Sequence, residues 1–466
     1  MTGSPRYVPF PSFAEWVGDV DLSGVDRAAV ELEAAKASVS EATLARAVEI
    51  ATRYAAVDTG AIEGLYETNR GFTRTIATQA AAWEAALKMR GEAVARSIDD
   101  ALAGYEYVFD AVTTRSTPLT QTWIRTLHEV LCRSQQTYRV YTAHGYAEHA
   151  LPKGEYKAMP NSPTSIDTGR MHHYAPVDDT GPEMARLVNE LAGSAFAAAH
   201  PVAQAAYAHY AFVCIHPFAD GNGRVARALA SVFLYCSPGV PLVVFADQKD
   251  LYIDALEAAD AGDPRPFVRF IADRAVDAVE LVRLHLGDNE SSAADELSTA
   301  LGDLGGRDGG AERVHHAAGS ASLGGDHPRS IDAARAADRL ITFAAAEMRE
   351  AFDALTLPPE VHLRLDVIPV RSGSPSDDAL PIDAPGIDLA LTTGVPRFAG
   401  AGRSLSAWRV GASEMAIGGA TTPLQVRITD LVPTQRESAR LRVAAWAARE
   451  ADAVARDLAE ALRQTH

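Results

Sequence analysis

Residues 216–227 read His216-Pro-Phe218-Ala-Asp220-Gly221-Asn222-Gly223-Arg224-Val-Ala-Arg227, and they gather a base, a hard carboxylate, a glycine-flanked turn and two guanidinium groups. Glycines at 221 and 223 tolerate positive φ, so the backbone N–H groups of such a turn can converge on an anion. From Arg224 onward Val225, Leu229, Val232 and Phe233 recur at spacings of three and four, which predicts a helix opening directly from the turn. Its N-terminal end adds free N–H donors and partial positive charge. Phosphate is the guest this arrangement suits. Arg224 and Arg227, three residues apart, share a helix face and can both fork onto phosphate oxygens. Asp220 can hold a Mg²⁺ that does the same, and a neutral His216 can take a proton from a hydroxyl.

The stretch resembles the signature of the Fic (Fido) family: a His, a Phe two residues on, an acidic residue before Gly-Asn-Gly-Arg, and a second Arg three further. No position of that core departs from it. The resemblance implies a mainly α fold, a Fic-type helical bundle with a β-hairpin flap, that moves AMP from Mg-ATP to a Ser, Thr or Tyr hydroxyl of a target protein. Carried onto this sequence, it implies His216 as general base, Asp220 as the Mg²⁺ ligand and Asn222 at the α-phosphate beside Gly221 and Gly223. Arg224 and Arg227 would hold the β- and γ-phosphates, and Phe218 falls within the same ATP-binding set. Doc-type relatives resemble Fic but carry Lys where this chain has Gly223, and they phosphorylate; Gly223 therefore implies AMP transfer.

Far upstream, Thr59-Gly-Ala-Ile-Glu63-Gly64 resembles the family's inhibitory helix, with Thr59 and Glu63 on one helix face. The resemblance implies that Glu63 competes with ATP for Arg227, or positions a water that removes AMP. Residues 154–176, from Gly154-Glu-Tyr156-Lys157 to His173-Tyr174, resemble the flap over the active site that docks a target by strand addition, although Pro160, Pro163 and Pro176 oppose a strand there. Tyr252 to Phe270 resembles the stretch that supplies the adenine pocket, with Tyr252 and Asp260 as its candidate contacts. The family has a second Tyr and an Asn where this chain has Ile253 and Asp260, which leaves adenine contacts open. His209, within an apolar run, reads as a core residue.

The chain has 466 residues, 47% of them apolar, and a net charge of −18. Two or three domains follow, and bulk attraction to nucleic acid or an anionic membrane is disfavoured. Cys132, Cys214 and Cys236 have no metal-type spacing, a secretory leader is not apparent, and no apolar run is long enough for a membrane span. A cytoplasmic enzyme is expected, with ATP and a target protein as partners and homo-oligomerisation left open.

An N-terminal extension is expected over 1–24 and the Fic-like bundle over 25–285. Residues 286–328, rich in Gly, Ser, Ala and Asp, read as a flexible linker in which His315-His316 are incidental. A small α+β domain of unknown role is expected over 329–466: a helix near 331–355, strands at 361–370, 387–391, 405–410 and 424–428, and a closing helix near 434–463. Arg364, Arg409 and Arg427 read as solvated strand positions. Besides an autoinhibited adenylyltransferase, two readings stand: another nucleotidyl, phosphoryl or AMP-removing enzyme on the same site, and a catalytically silent regulatory binding protein.

Overall fold

The computed structural model describes residues 7–78, 91–114, 118–142, 145–162, 173–286, 328–354, 361–371, 379–380, 383–393, 401–410, 414–418, 423–427, 431 and 437–464. The chain forms two compact units, Met1–Leu286 and Gly287–His466. The first is helical: α1 Phe13–Trp16, α2 Ser23–Lys36, α3 Glu41–Ile62, α4 Arg70–Thr78, α5 Glu92–Thr113, α6 Gln121–Leu131, α7 Val177–Leu191, α8 Ser194–Ala197, α9 Pro201–Ile215, α10 Asn222–Cys236, α11 Lys249–Asp260 and α12 Arg265–His285.

Local chemistry sets several of these boundaries. Ser40 and Thr120 accept from the main-chain N–H of Thr43 and Trp123, capping α3 and α6. Pro201 opens α9 at a position where its missing N–H costs no bond. Helix α3 ends in a Schellman motif: Gly64 has φ 74°, Gly64 N–H bonds to Ala61 and Leu65 N–H to Gly60. Glu63 is thereby fixed at the helix cap. Helix α9 is buried nearly all round and packs along α10, which also meets α5 and α6.

Strands β1 Thr137–Thr142 and β2 Gly145–Ala150 form an antiparallel hairpin. Of the stretch 154–176 expected to form a flap hairpin, residues 154–162 and 173–176 contain no strand, and residues 163–172, with His172, lie outside the described residues. The main-chain N–H of Lys157 bonds to Pro217.

The second unit is α+β. Helices α13 Pro328–Ala354 and α14 Glu437–Gln464 pack with an antiparallel sheet of β3 Val361–Arg371, β4 Ala379–Leu380, β5 Asp383–Thr393, β6 Ala401–Val410, β7 Glu414–Gly418 and β8 Leu424–Arg427. The order is β3-β5-β6-β7-β8, with β4 beside β6. Ile387, Leu389 and Leu391 alternate into a core completed by Leu340, Met348, Trp446 and Val454. Strands β4 and β7 escaped the sequence reading, being two and five residues long. Arg364 is solvated and pairs with Asp366; the side chains of Arg409 and Arg427 lie outside the described residues, as do 287–327 with His315-His316.

Candidate functional site

The signature loop joins α9 to α10. His216 caps α9 with φ 50° and ψ 60°, the one non-glycine residue at positive φ among the described residues. Gly221, φ 80°, is the N-cap of α10. Asn222 closes the turn from within: its Oδ1 accepts the Phe218 N–H at 2.9 Å and its Nδ2 donates to the Phe218 carbonyl at 2.8 Å. Phe218 is 0% exposed and stacks on His128, ring centroids 3.9 Å apart. Phe218 and Asn222, expected in the ATP-contact set, both hold the loop in this structure.

His128 was passed over in the sequence, although it lies in the buried stripe of Ile124, Leu127 and Leu131 on α6. Its Nδ1 accepts from Gly154 N–H at 2.9 Å, so Nε2 donates to the Asp220 carbonyl at 3.0 Å. One neutral imidazole thus ties α6, the 154 loop and the signature together. Burial pushes its pKa down to about 4.

A carboxylate sits at the nest. Glu63 Oε1 accepts from Arg227 NH2 at 2.7 Å, and a Cβ added at Gly223 would lie 2.1 Å from that oxygen. Arg227, 1% exposed, also donates from Nε to Thr59 Oγ1 and from NH2 to the Thr59 carbonyl, both at 2.9 Å, while NH1 has no partner. Thr59, Glu63 and Arg227 are brought together as the sequence implied, and Gly223 is what leaves room for them. Gly64 contributes by ending α3.

The arginine pair does not act as one fork. Arg224 turns toward α6, donating to Gln135 Oε1 at 2.6 Å and to the Leu131 carbonyl at 3.3 Å; its Nε is buried without a partner. Gln135 also donates to Asp220 Oδ2 at 2.7 Å, and Asp220 Oδ1 accepts from Gly221 N–H. Among the described residues no cluster of three or more His, Cys, Asp or Glu forms a metal cage. A lone carboxylate beside an anion nest fits Mg²⁺, which binds through one or two carboxylates plus substrate phosphates.

His216 is held from outside the signature. Tyr174 stacks on its ring at 3.9 Å and 3°, and Nδ1 lies 2.8 Å from Asn161 Nδ2 and 3.1 Å from Asn222 Nδ2. Neither Asn161 nor Tyr174 carries a spacing signal that would single it out. Tyr252, expected at adenine, is buried, its hydroxyl 2.9 Å from His209 Nε2 and its ring 5.9 Å from the Arg227 guanidinium. It supports the arginine from behind. His209 is fully buried, as expected of a core residue, and burial drives its pKa down to about 3. Asp260 is exposed at the end of α11.

Residues 118–234 match the family model described as Fic/DOC family. The chain is 38% identical over 128 residues to "Protein adenylyltransferase Fic" of Culex quinquefasciatus, covering 26% of this chain and 25% of that protein. It is 51% identical over 74 residues to the protein of that name from Drosophila persimilis, covering 16% and 15%. It thus spans a quarter or less of those relatives' length. Among solved structures, a Fic domain containing signaling protein from Bacteroides thetaiotaomicron aligns at TM-score 0.46 and 23% identity, covering 57% of this chain and 100% of that one. Fic-1 of C. elegans aligns at 0.44 and 20%, covering 56% and 70%.

Proposed function

We propose that this chain, with its Fic/DOC-family domain, is an autoinhibited protein adenylyltransferase. The observation that carries the reading is the Glu63 carboxylate bound to Arg227 over Gly223, an anion of the chain itself in a nest shaped for phosphate. In the reaction a Ser, Thr or Tyr hydroxyl of a target protein attacks the α-phosphorus of ATP. The new P–O bond forms as the bond to pyrophosphate breaks, and His216 takes the hydroxyl proton. The main chain of 221–223 and the Arg227 guanidinium neutralise the polyphosphate, Arg227 once Glu63 has left it. Asp220 would hold Mg²⁺, which when bound supplies further positive charge to the phosphates. Gly223 supports AMP transfer over kinase chemistry, since a Lys there would also collide with Glu63. Three free cysteines accord with a reducing, cytoplasmic setting, and no helix among the described residues is long and apolar enough to cross a membrane.

The test is incubation of the Glu63→Gly protein with labelled ATP and lysate. Label on target proteins that is weak with wild type and absent with Glu63→Gly/His216→Ala supports the reading; equal labelling by wild type and Glu63→Gly removes autoinhibition from it. One observation favours AMP removal as a second activity. Glu63 is 29% exposed and only Oε1 is engaged by Arg227, which leaves Oε2 to orient a water. Release of AMP from modified target by wild type but not by Glu63→Gly would establish that activity.

A further inference from the structure

Both amides that reach the His216 ring have their orientation fixed by other partners. Lys157, 3% exposed, donates from Nζ to Asn161 Oδ1 at 2.8 Å and to the Ile215 carbonyl at 3.2 Å. Burial pushes its pKa down to about 8, which still leaves it an ammonium at neutral pH. An ammonium has no acceptor, so the oxygen of Asn161 faces Lys157 and its NH₂ faces the signature. That NH₂ lies 2.8 Å from His216 Nδ1, 3.0 Å from the His216 carbonyl and 2.7 Å from the Phe218 carbonyl. Turning the amide over would press its oxygen against both carbonyls. Asn222 is fixed in the same sense, because its Oδ1 accepts the Phe218 N–H and its NH₂ lies 3.1 Å from Nδ1. Met by N–H groups from two sides, Nδ1 can only accept, and the neutral ring carries its proton on Nε2.

We propose that Lys157 and Asn161 are positioning residues that hold His216 in the Nε2–H tautomer, so that the resting ring lacks the bare Nε2 a general base needs. The inference rests on the reading of His216 as that base. Because Nδ1 faces the two amides, Nε2 is the nitrogen through which the ring would take the hydroxyl proton. Readying it means that the ring loses a proton from Nε2 and gains one at Nδ1 by exchange with water, with no net change in charge. Nδ1–H then requires an acceptor where Asn161 now offers its NH₂. The site is thus held back twice, at the phosphate end by Glu63 and at the base by Asn161.

The test reads the tautomer directly, by ¹⁵N spectra of histidine-labelled full-length protein at neutral pH. Wild type is expected to show His216 protonated at Nε2 and bare at Nδ1, and Asn161→Asp, which supplies an acceptor, to show the reverse. A wild-type ring protonated at Nδ1 overturns the proposal whether or not the protein transfers AMP. In the Glu63→Gly background, AMP transfer by Asn161→Asp should exceed that of Asn161→Leu by about tenfold or more. Equal rates break the link between tautomer and catalysis, whereas the expected spectra with no transfer by any form condemn the functional reading instead. Should Asn161→Asp fail to fold, Asn161→Leu removes one of the two N–H groups that face Nδ1 and should raise the Nδ1–H share; an unchanged spectrum overturns the proposal.

Discussion

His128 is carried into the core neutral, and acid stability follows from that. Its pKa falls from 6.5 to about 4 on folding, so below pH 6.5 the unfolded chain binds a proton that the folded one refuses. Stability from this group is present above pH 6.5 and is lost as pH falls toward 4, roughly 2 kcal/mol of it by pH 5. Asp58 works in the opposite sense, because burial raises its pKa to about 7 and its contribution is lost as pH rises from 3.8 through 7. The difference between wild type and His128→Gln isolates the histidine: the unfolding free energy at pH 7 minus that at pH 5, read from urea curves, should be about 2 kcal/mol smaller in the variant, in which the opposing slope of Asp58 remains. At the inhibitory contact, Glu63→Gly removes a preference of about 2–3 kcal/mol for the closed pair and should raise AMP transfer about 30- to 150-fold. Thr59→Ala removes one of three bonds to Arg227, about 1 kcal/mol, and should raise transfer by roughly fivefold in the same labelling assay. Residue types in 216–227 and at Glu63 were legible because charge and spacing state their chemistry. The direction of a side chain is not so stated: Arg224, Phe218 and Tyr252 each meet a protein partner that lies far away in sequence, at Gln135, His128 and His209.

At the scale of elements, close approach of helices decides what is tolerated. Helix α5 meets α6 at Gly104, where an added Cβ would come within 2.2 Å of Leu131 Cδ2. Gly104→Ala should therefore cost about 1–3 kcal/mol by overpacking, read as a lower urea midpoint, and should shift the α6 residues that hold the signature loop. Gly64→Ala meets no atom within 4 Å but must adopt φ 74°, so about 1 kcal/mol of strain falls on the cap that carries Glu63. Helices were readable from their periodicity and caps. The hairpin of β1 and β2 was not anticipated, even though Thr137-Tyr-Arg-Val-Tyr-Thr is rich in β-branched and aromatic residues and Gly145, at φ 106°, begins the second strand. The prolines of 154–176 were the contrary signal, and the described residues of that stretch, pinned to the signature, form no strand.

For the whole molecule, each unit has its own apolar core, and among the described residues the second is built from α13, α14 and the sheet together with Leu431. A chain cut to residues 7–286 should keep a single cooperative unfolding transition by circular dichroism; a non-cooperative melt would show that the first unit depends on the second. Among the described residues of the second unit the alternating strands encode burial, and no cluster of three or more His, Cys, Asp or Glu forms there. The Glu63–Arg227 contact, finally, binds two equilibria into one. In the proposed mechanism a carboxylate and a polyphosphate compete for the same guanidinium, so the coupling between them is reciprocal. Any partner that draws α3 away from Arg227 must tighten polyphosphate binding by the same factor by which polyphosphate tightens the hold of that partner, and a nucleotide titration alone would reveal that an activator has bound.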